Sequence, residues 1–300
     1  MLDLQASRIG AAFTAASFFE VCIYPSPGLV SPKDSGAHQD MNLFTFVIGS
    51  SALSPYFTAF AKLGSDQADV PAPEVFANMR KLGVQAEGEL LRATSGVNTQ
   101  RGQLFILGLA AGIAGLCLSR GCPVPSPEFY GLAREACQGL SAQELFILSE
   151  DKAKTTGERL YVSGGYTGVR GEAEAGFPTV EHVGYPALVD ALKRGLSLND
   201  AAVHSLVTIM SVLIDTTVLG RRGEEGLAIL HATVSEILAA GSVFTKAGRE
   251  LILSAHARFC AERISPGGSA DLLSLAMALL FLEQGFPGTQ ALLAPSLFER

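Results

Sequence analysis

The stretch at 164–178, GGYTGVRGEAEAGFP, sets Arg170 among glycines and follows it two and four residues later with Glu172 and Glu174. Glycine lets backbone approach a ligand closely, a guanidinium forks onto phosphate oxygens, and carboxylates are the hard donors that Mg²⁺ prefers. The combination suits a polyphosphate with its metal. Three further patches concentrate polar chemistry. One, around CIYPSPGLVSPKDSGAHQDM, supplies Glu20, Lys33, Asp34, His38 and Asp40. Another, AEGELLRATSGVNTQRG, brings Glu87, Glu89, Asn98, Thr99 and Arg101 to the entry of a helix, where anions are favoured. The last joins IDTTVLGRRGEEG at 214–226, with Asp215 and Arg221, to SPGGSADLL at 265–273, with Gly267, Gly268, Ser269 and Asp271.

Each patch also has an ordinary structural reading. Asp271 falls in a first helical turn, where the helix dipole favours a carboxylate. Glu87 and Glu89 fit a solvated face, and Arg221 with Arg222 fits a helix end. Asp215 follows the apolar run SVLI, so its carboxylate needs an ion-pair partner or a metal. His182, His204, His231 and His256 have no ligand spacing to one another and read as structural.

The elements that must position these patches are helices. Apolar residues recur with helical spacing almost throughout, and two-residue alternation is scarce. The pattern predicts helices near 3–23, 39–62 with a break or kink at Pro55, 73–93, 100–119, 127–147, 185–195, 198–218, 224–240, 246–263, 269–283 and 288–297. Ser126 before Pro127, and Ser197 with Asp200, mark starts; Gly121, Gly195 and Gly241 mark stops. Loops are expected at 24–38, 148–181 and 264–269. The fold class is therefore all-α, a single-domain multi-helix globule over 1–300 with its active site in loops between helices.

Bulk properties narrow the function. Hydrophobic residues make up 48% of the 300-residue chain and charged residues only 17%, so charge clusters carry weight. A net charge of −7 argues against nucleic acid or anionic membranes as partners. The five cysteines form no CxxC pair, which fits a reducing compartment. With no signal-peptide pattern, cytoplasmic residence is expected. The apolar run at 104–118 is 15 residues long, short of the roughly 20 a spanning helix needs, and the run at 203–219 is interrupted by His204 and Asp215. Both read as buried helices.

No P-loop, HExxH, GxSxG or DDxxD motif is present, and the glycines of 164–171 follow no strand. Taken in order, GLV…GAHxDM at 28–41, EGE…RATSGVNT at 87–99, TGVRGEAEAGFP at 167–178, DTTVLGRRGEEGL at 215–227 and SPGGSADLL at 265–273 resemble the triphosphoribosyl-dephospho-CoA synthase family. The chain departs from the family's usual strings at Ser26, Ser31, Pro32, Gln100 and Thr217.

The resemblance implies a transferase that joins the triphosphoribosyl group of ATP to the 2′-hydroxyl of 3′-dephospho-CoA and releases adenine. It implies Mg²⁺ as cofactor, ATP and 3′-dephospho-CoA as partners, and a downstream transferase that loads the product onto an acyl-carrier protein. Homo-oligomerisation is left open. Lys33, Asn98, Arg101, Arg170, Arg221, Gly267, Gly268 and Ser269 are expected to bind the triphosphate or substrate. Asp40, Glu87, Asp215 and Asp271 are the expected metal ligands. Glu172, then Glu174, is the expected general base, with His38 donating a proton toward adenine. The competing readings are another Mg²⁺-dependent all-α nucleotide hydrolase or transferase, and a non-catalytic nucleotide sensor.

Overall fold

The segment from Arg101 to Ser119 is apolar on every side, so as a helix it has no face to give to water and must be enclosed. In the computed structural model, which describes residues 3–144, 153, 155–288, 292 and 294–298, it is. The helices in order are α1 (Leu4–Cys22), α2 (Leu43–Asp66), α3 (Ala72–Ala93), α4 (Arg101–Ser119), α5 (Pro127–Ala136), α6 (Leu140–Glu144), α7 (Thr156–Gly164) and α8 (Gly168–Glu174). A π-helical turn (Val180–Gly184) then leads into α9 (Tyr185–Lys193), α10 (Leu198–Met210), α11 (Thr216–Ala239), α12 (Lys246–Glu262) and α13 (Gly267–Gln284). The fold is all-α, with no strand among the described residues.

Helix α4 is surrounded by α1, α2, α3, α5 and α13. Small residues set its distance from α2: a Cβ on Gly64 would stand 1.9 Å from the carbonyl oxygen of Gly112, and one on Gly115 would stand 2.0 Å from that of Ala61. One buried apolar cluster runs from α1 to α13, and Phe13, Phe57, Phe129, Phe177 and Phe259 are its largest fully enclosed side chains. Each such ring contributes roughly 1.5–3 kcal/mol by leaving water. Two helices, Leu43–Asp66 and Arg101–Ser119, are long and apolar enough to cross a membrane by length and composition. Packing accounts for the second, whose apolar window is 78% buried against the protein; for the first the figure is 28%.

Several expected elements are redrawn. α2 runs through Pro55 without a break, because the carbonyl that loses its donor belongs to the exposed Ser51. The helix expected over 127–147 divides at Cys137–Gly139 into α5 and α6, and its last residues lie outside the described ones. The helix expected over 198–218 ends at Met210, because Asp215 turns out to cap α11. α11 starts earlier than expected and is interrupted at Gly223, whose φ of 64° and ψ of −164° are not helical. Of the helix expected at 288–297, residues 289–291 and 293 lie outside the described ones and 294–297 are not helical; the first part of the loop expected at 148–181 lies outside the described residues as well.

The largest correction concerns 164–178, where the helix Gly168–Glu174 and the end of α7 stand in place of an open loop. Its glycines solve packing problems. Gly168, at φ +55°, brings the start of α8 so close to the start of α11 that a Cβ would lie 2.8 Å from Thr216 Oγ1.

Candidate active site

Helix starts converge on one side of α4. The 24–42 loop and the first turns of α4, α7, α8, α11 and α13 line a cavity of about 340 Å³. A larger cavity of about 590 Å³ adjoins it, sharing Asn98, Arg101, Gly102, Thr156, Gly157 and Val169 as lining. Arg101 is the first residue of α4, its N–H accepted by Asn98 Oδ1 at 3.3 Å, and its guanidinium pairs with Glu87 Oε1 at 2.6 Å. Sequence-distant blocks at 87 and 98–101 therefore meet where the cavities join.

Acid lines the smaller cavity. Glu20, near the end of α1, is buried, and burial pushes its carboxyl up to about 8 against a hydrogen bond from Gln103. Gln103 is locked in turn: its Oε1 accepts from Ser17 Oγ at 2.6 Å and Gln100 Nε2 at 2.9 Å, and its Nε2 donates to Ser274 Oγ at 2.7 Å. Asp271, in the first turns of α13, is raised well above the usual carboxylate range by burial and by the charges of Glu20 and Asp215. Gly102 makes room for it, since a Cβ there would stand 2.1 Å from Asp271 Oδ2. Thr99 Oγ1 and Gln100 Oε1, on residues lining the same cavity, are buried without a hydrogen-bond partner. Enclosed carboxylates and orphaned oxygens together call for a cation or a polar ligand.

His38 closes another side, its side chain only 8% exposed. Its Nε2 is 2.9 Å from Ser265 Oγ, while Nδ1 lies 3.4 Å from both terminal nitrogens of Arg221 and 3.6 Å from Asp40 Oδ1. Burial first, and then the Arg221 charge, hold the imidazole below its ordinary value of 6.5, although Asp40 opposes them. A guanidinium can only donate, so Nδ1 is the accepting nitrogen and Nε2 carries the proton.

Cations line the larger cavity. Arg80, Arg101, Arg159 and Arg170 border it with Glu87, among the rings of Phe60, Phe76 and Phe105. The Arg80 guanidinium lies 5.9 Å from the centre of the Phe76 ring. Such a surface accepts a phosphorylated, partly apolar ligand.

Other expected site residues have structural partners. Asp215 is 1% exposed and accepts from Thr217 N and Oγ1, Gly268 N, Ser269 N and Ser269 Oγ at 2.6–3.3 Å, which ties the start of α11 to that of α13. Gly267 N donates to Thr217 Oγ1 at 2.8 Å. The amides of Gly267, Gly268 and Ser269 are thus directed at protein oxygens, although both glycines border the smaller cavity. Glu172 accepts from Thr179 Oγ1 at 2.7 Å and Thr179 N at 3.3 Å, and burial raises its carboxyl. Glu174 accepts from Gly139 N at 2.8 Å and Ser141 N at 3.0 Å at the start of α6; burial works upward, but these donors hold it below the usual range. Neither glutamate borders either cavity, and neither do Asp40 and Lys33. Lys33 lies over the Tyr24 ring, 5.8 Å from its centre.

Sequence reasoning named Glu20 among a polar patch without giving it a role, and it passed over Gln103. A carboxylate in the apolar run AASFFEVC carries the same signal that singled out Asp215. Arg80 and Arg159 carry none, because each reads as an ordinary charge on a helix surface.

The family model described as ATP:dephospho-CoA triphosphoribosyl transferase matches residues 6–290. The chain belongs to this family. Relatives agree. A probable 2-(5''-triphosphoribosyl)-3'-dephosphocoenzyme-A synthase of Vibrio cholerae is 34% identical over 271 residues, 90% of this chain and 87% of the relative. One from Malonomonas rubra is 35% identical over 94% of this chain and 90% of its own. The 2-(5''-triphosphoribosyl)-3'-dephosphocoenzyme-A synthase of Pectobacterium atrosepticum is 35% identical over 93% and 89%. No solved structure matches the chain. Family membership makes the chain a transferase of the triphosphoribosyl-dephospho-CoA synthase type.

Proposed function

We propose that the smaller cavity holds the ribose triphosphate of ATP with Mg²⁺, and that the larger one holds 3′-dephospho-CoA, with adenine as the leaving group. One observation carries this reading: the enclosed carboxylates of Glu20 and Asp271 border the same cavity as the cations of Arg101 and Arg221. Two carboxylates held this far from their ordinary ionisation are a site for a hard divalent ion, and Mg²⁺ is usually held by one or two carboxylates with phosphates and water. Glu20 and Asp271 would hold it, and its charge would offset the phosphates and the developing negative charge. Arg101 and Arg221 contact triphosphate oxygens, while Arg80, Arg159 and Arg170 face the diphosphate of dephospho-CoA and the three phenylalanines its apolar parts.

The reaction forms a bond from the acceptor 2′-oxygen to C1′ of the ATP ribose and breaks the C1′–N9 bond, whose electron pair leaves with adenine. By analogy with glycoside hydrolysis the transition state is oxocarbenium-like. His38, neutral and accepting at Nδ1, takes the hydroxyl proton, the reverse of the donor role expected from sequence. Ser265 holds the ring by its other nitrogen. Arg221 faces that Nδ1 without substrate and turns to phosphate when the nucleotide arrives, which releases the base only in the loaded site. Holding both nucleotides in line contributes as much as the proton transfer. The same reading includes cytoplasmic residence and delivery of the product to a transferase that loads an acyl-carrier protein.

Incubation with ATP, Mg²⁺ and dephospho-CoA is expected to release adenine and form the triphosphoribosyl adduct one for one. Adenine without an acceptor would indicate a hydrolase and overturn the reading, as would folded protein that releases none. His38→Gln is expected to lower kcat by about 10²–10⁴-fold. Because the base form of His38 persists below the ordinary histidine value of 6.5, the acidic limb of kcat/KM should fall below that pH and vanish in the variant. Arg170→Ala is expected to raise KM for dephospho-CoA about tenfold or more, the worth of a charge-assisted hydrogen bond, with an unchanged unfolding midpoint. A KM change confined to ATP would move Arg170 to the other subsite.

A further inference from the structure

Outside the two cavities, α12 presents His256 and Cys260 one helical turn apart, and the 24–42 loop lays Asp34 against them. Asp34 Oδ2 is 3.0 Å from His256 Nε2, Cys260 Sγ is 3.6 Å from the same nitrogen, and the three atoms all lie within 4.8 Å of one another. The ring's other nitrogen decides how this is read. His256 Nδ1 sits 2.9 Å from the carbonyl oxygen of Ser26, an acceptor, so Nδ1 carries a proton. In the neutral ring Nε2 then presents a lone pair to the Cys260 thiol, which can donate to it, and to the Asp34 carboxylate, which is repulsive. Two species relieve it: a second proton on the ring, or a metal ion shared by all three atoms.

The donor set and spacing suit the metal. Around a tetrahedral ion with bonds of about 2.3 Å to sulfur and about 2.0–2.1 Å to nitrogen, those two ligand atoms stand roughly 3.5 Å apart. The observed separation is 3.6 Å. A hydrogen bond from the non-ligating nitrogen to a backbone carbonyl is also the usual way in which a ligand histidine is held in its tautomer. We propose that Asp34, His256 and Cys260 form a binding site for Zn²⁺ or a similar borderline transition-metal ion. Its fourth position opens to solvent on the side of Asp34, whose side chain is 44% exposed. Imidazole and thiolate select such ions over Mg²⁺, so this site is distinct from the one that serves ATP.

The site has a consequence for the enzyme. Asp34 is four residues before His38 on the same loop, while His256 and Cys260 stand on a rigid helix. An ion bound there fastens the loop that carries His38 toward the smaller cavity. Binding expels protons from the ring and the thiol, so affinity falls as pH falls.

The test is a Co²⁺ titration of the full chain after removal of metal by chelator. The expected result is one equivalent bound, with a thiolate-to-cobalt charge-transfer band that Zn²⁺ abolishes by displacement, and a higher unfolding midpoint in Zn²⁺. Cys260→Ser should remove the band and weaken Zn²⁺ at least about 100-fold, and Asp34→Asn should weaken it about tenfold or more. Both changes are conservative and neither residue is fully buried, so the variants should fold; Cys22→Ser, at an exposed thiol on α1, should leave the titration unchanged. Cobalt binding without a thiolate band, binding unaltered by Cys260→Ser, or no binding by the wild-type protein would each overturn the proposal.

Discussion

Asp271→Asn is expected to slow adenine release by about 10²–10³-fold and, at the same time, to raise the unfolding midpoint of the ligand-free protein. The two effects share one cause. Asp271 is enclosed beside Glu20 and Asp215, and its carboxyl is raised by burial and by their charge. An amide of the same shape removes that repulsion, and with it the charge proposed to hold Mg²⁺. Linkage gives the sign of the pH dependence. A carboxyl whose folded value lies above its unfolded one binds more protons folded than unfolded, so stability falls as pH rises between the two values. For Glu20 that window runs from 4.5 to about 8, and the Asp271 shift acts in the same direction. The ligand-free wild-type protein should therefore unfold at a lower temperature at pH 8 than at pH 5.5. MgATP should reverse the difference in wild type and not in Asp271→Asn. Calorimetric scans at the two pH values, together with an adenine assay, check both halves. A variant that is less stable and fully active would exclude Asp271 from the cation site.

Asp215→Ala is expected to do the opposite, destabilising the fold by at least about 4 kcal/mol whether or not Mg²⁺ is present. Its carboxylate receives five hydrogen bonds, three from backbone N–H groups and two from hydroxyls, and of these donors the Thr217 hydroxyl alone has a second acceptor among the described residues, the Ser265 carbonyl oxygen at 2.7 Å. Removing it uncaps α11 and the α13 start together. Denaturant titration in EDTA and in Mg²⁺ should give the same loss. A metal ligand would instead show a loss of Mg²⁺ affinity in a protein of nearly normal stability, the behaviour expected when Asp215 is read from sequence alone.

The contrast between these two aspartates shows what periodicity and composition can carry. Both were expected metal ligands, and both lie where α11 and α13 begin. Which one is satisfied by protein and which faces a cavity depends on how those helix starts meet, 54 residues apart in sequence for the Asp215–Ser269 contact. Helices with a full apolar face, such as α4, were readable almost to the residue, because burial enforces the pattern. The GVRGEAE segment was not, because glycine-rich composition describes an open phosphate loop and a short helix packed against α4, α5 and α6 equally well. There Glu172 and Glu174, read from sequence as candidate bases, both accept from neighbouring backbone. His256 reads as structural in the sequence, and its place beside Cys260 and Asp34 comes from the fold, since the third member lies on a loop more than 200 residues earlier. Arg80 and Arg159 had no sequence signal at all, since only tertiary packing turns them toward one cavity.

Whether Glu20 and Asp271 receive the cation of ATP is tested by a crystal grown with Mn²⁺ and a non-reacting ATP analogue, with anomalous scattering recorded from the manganese. A manganese peak is expected between these two carboxylates in contact with triphosphate oxygens, with Arg221 drawn from His38 to the phosphates. A triphosphate whose manganese sits instead at Glu172 and Glu174, or at Asp215, would contradict it.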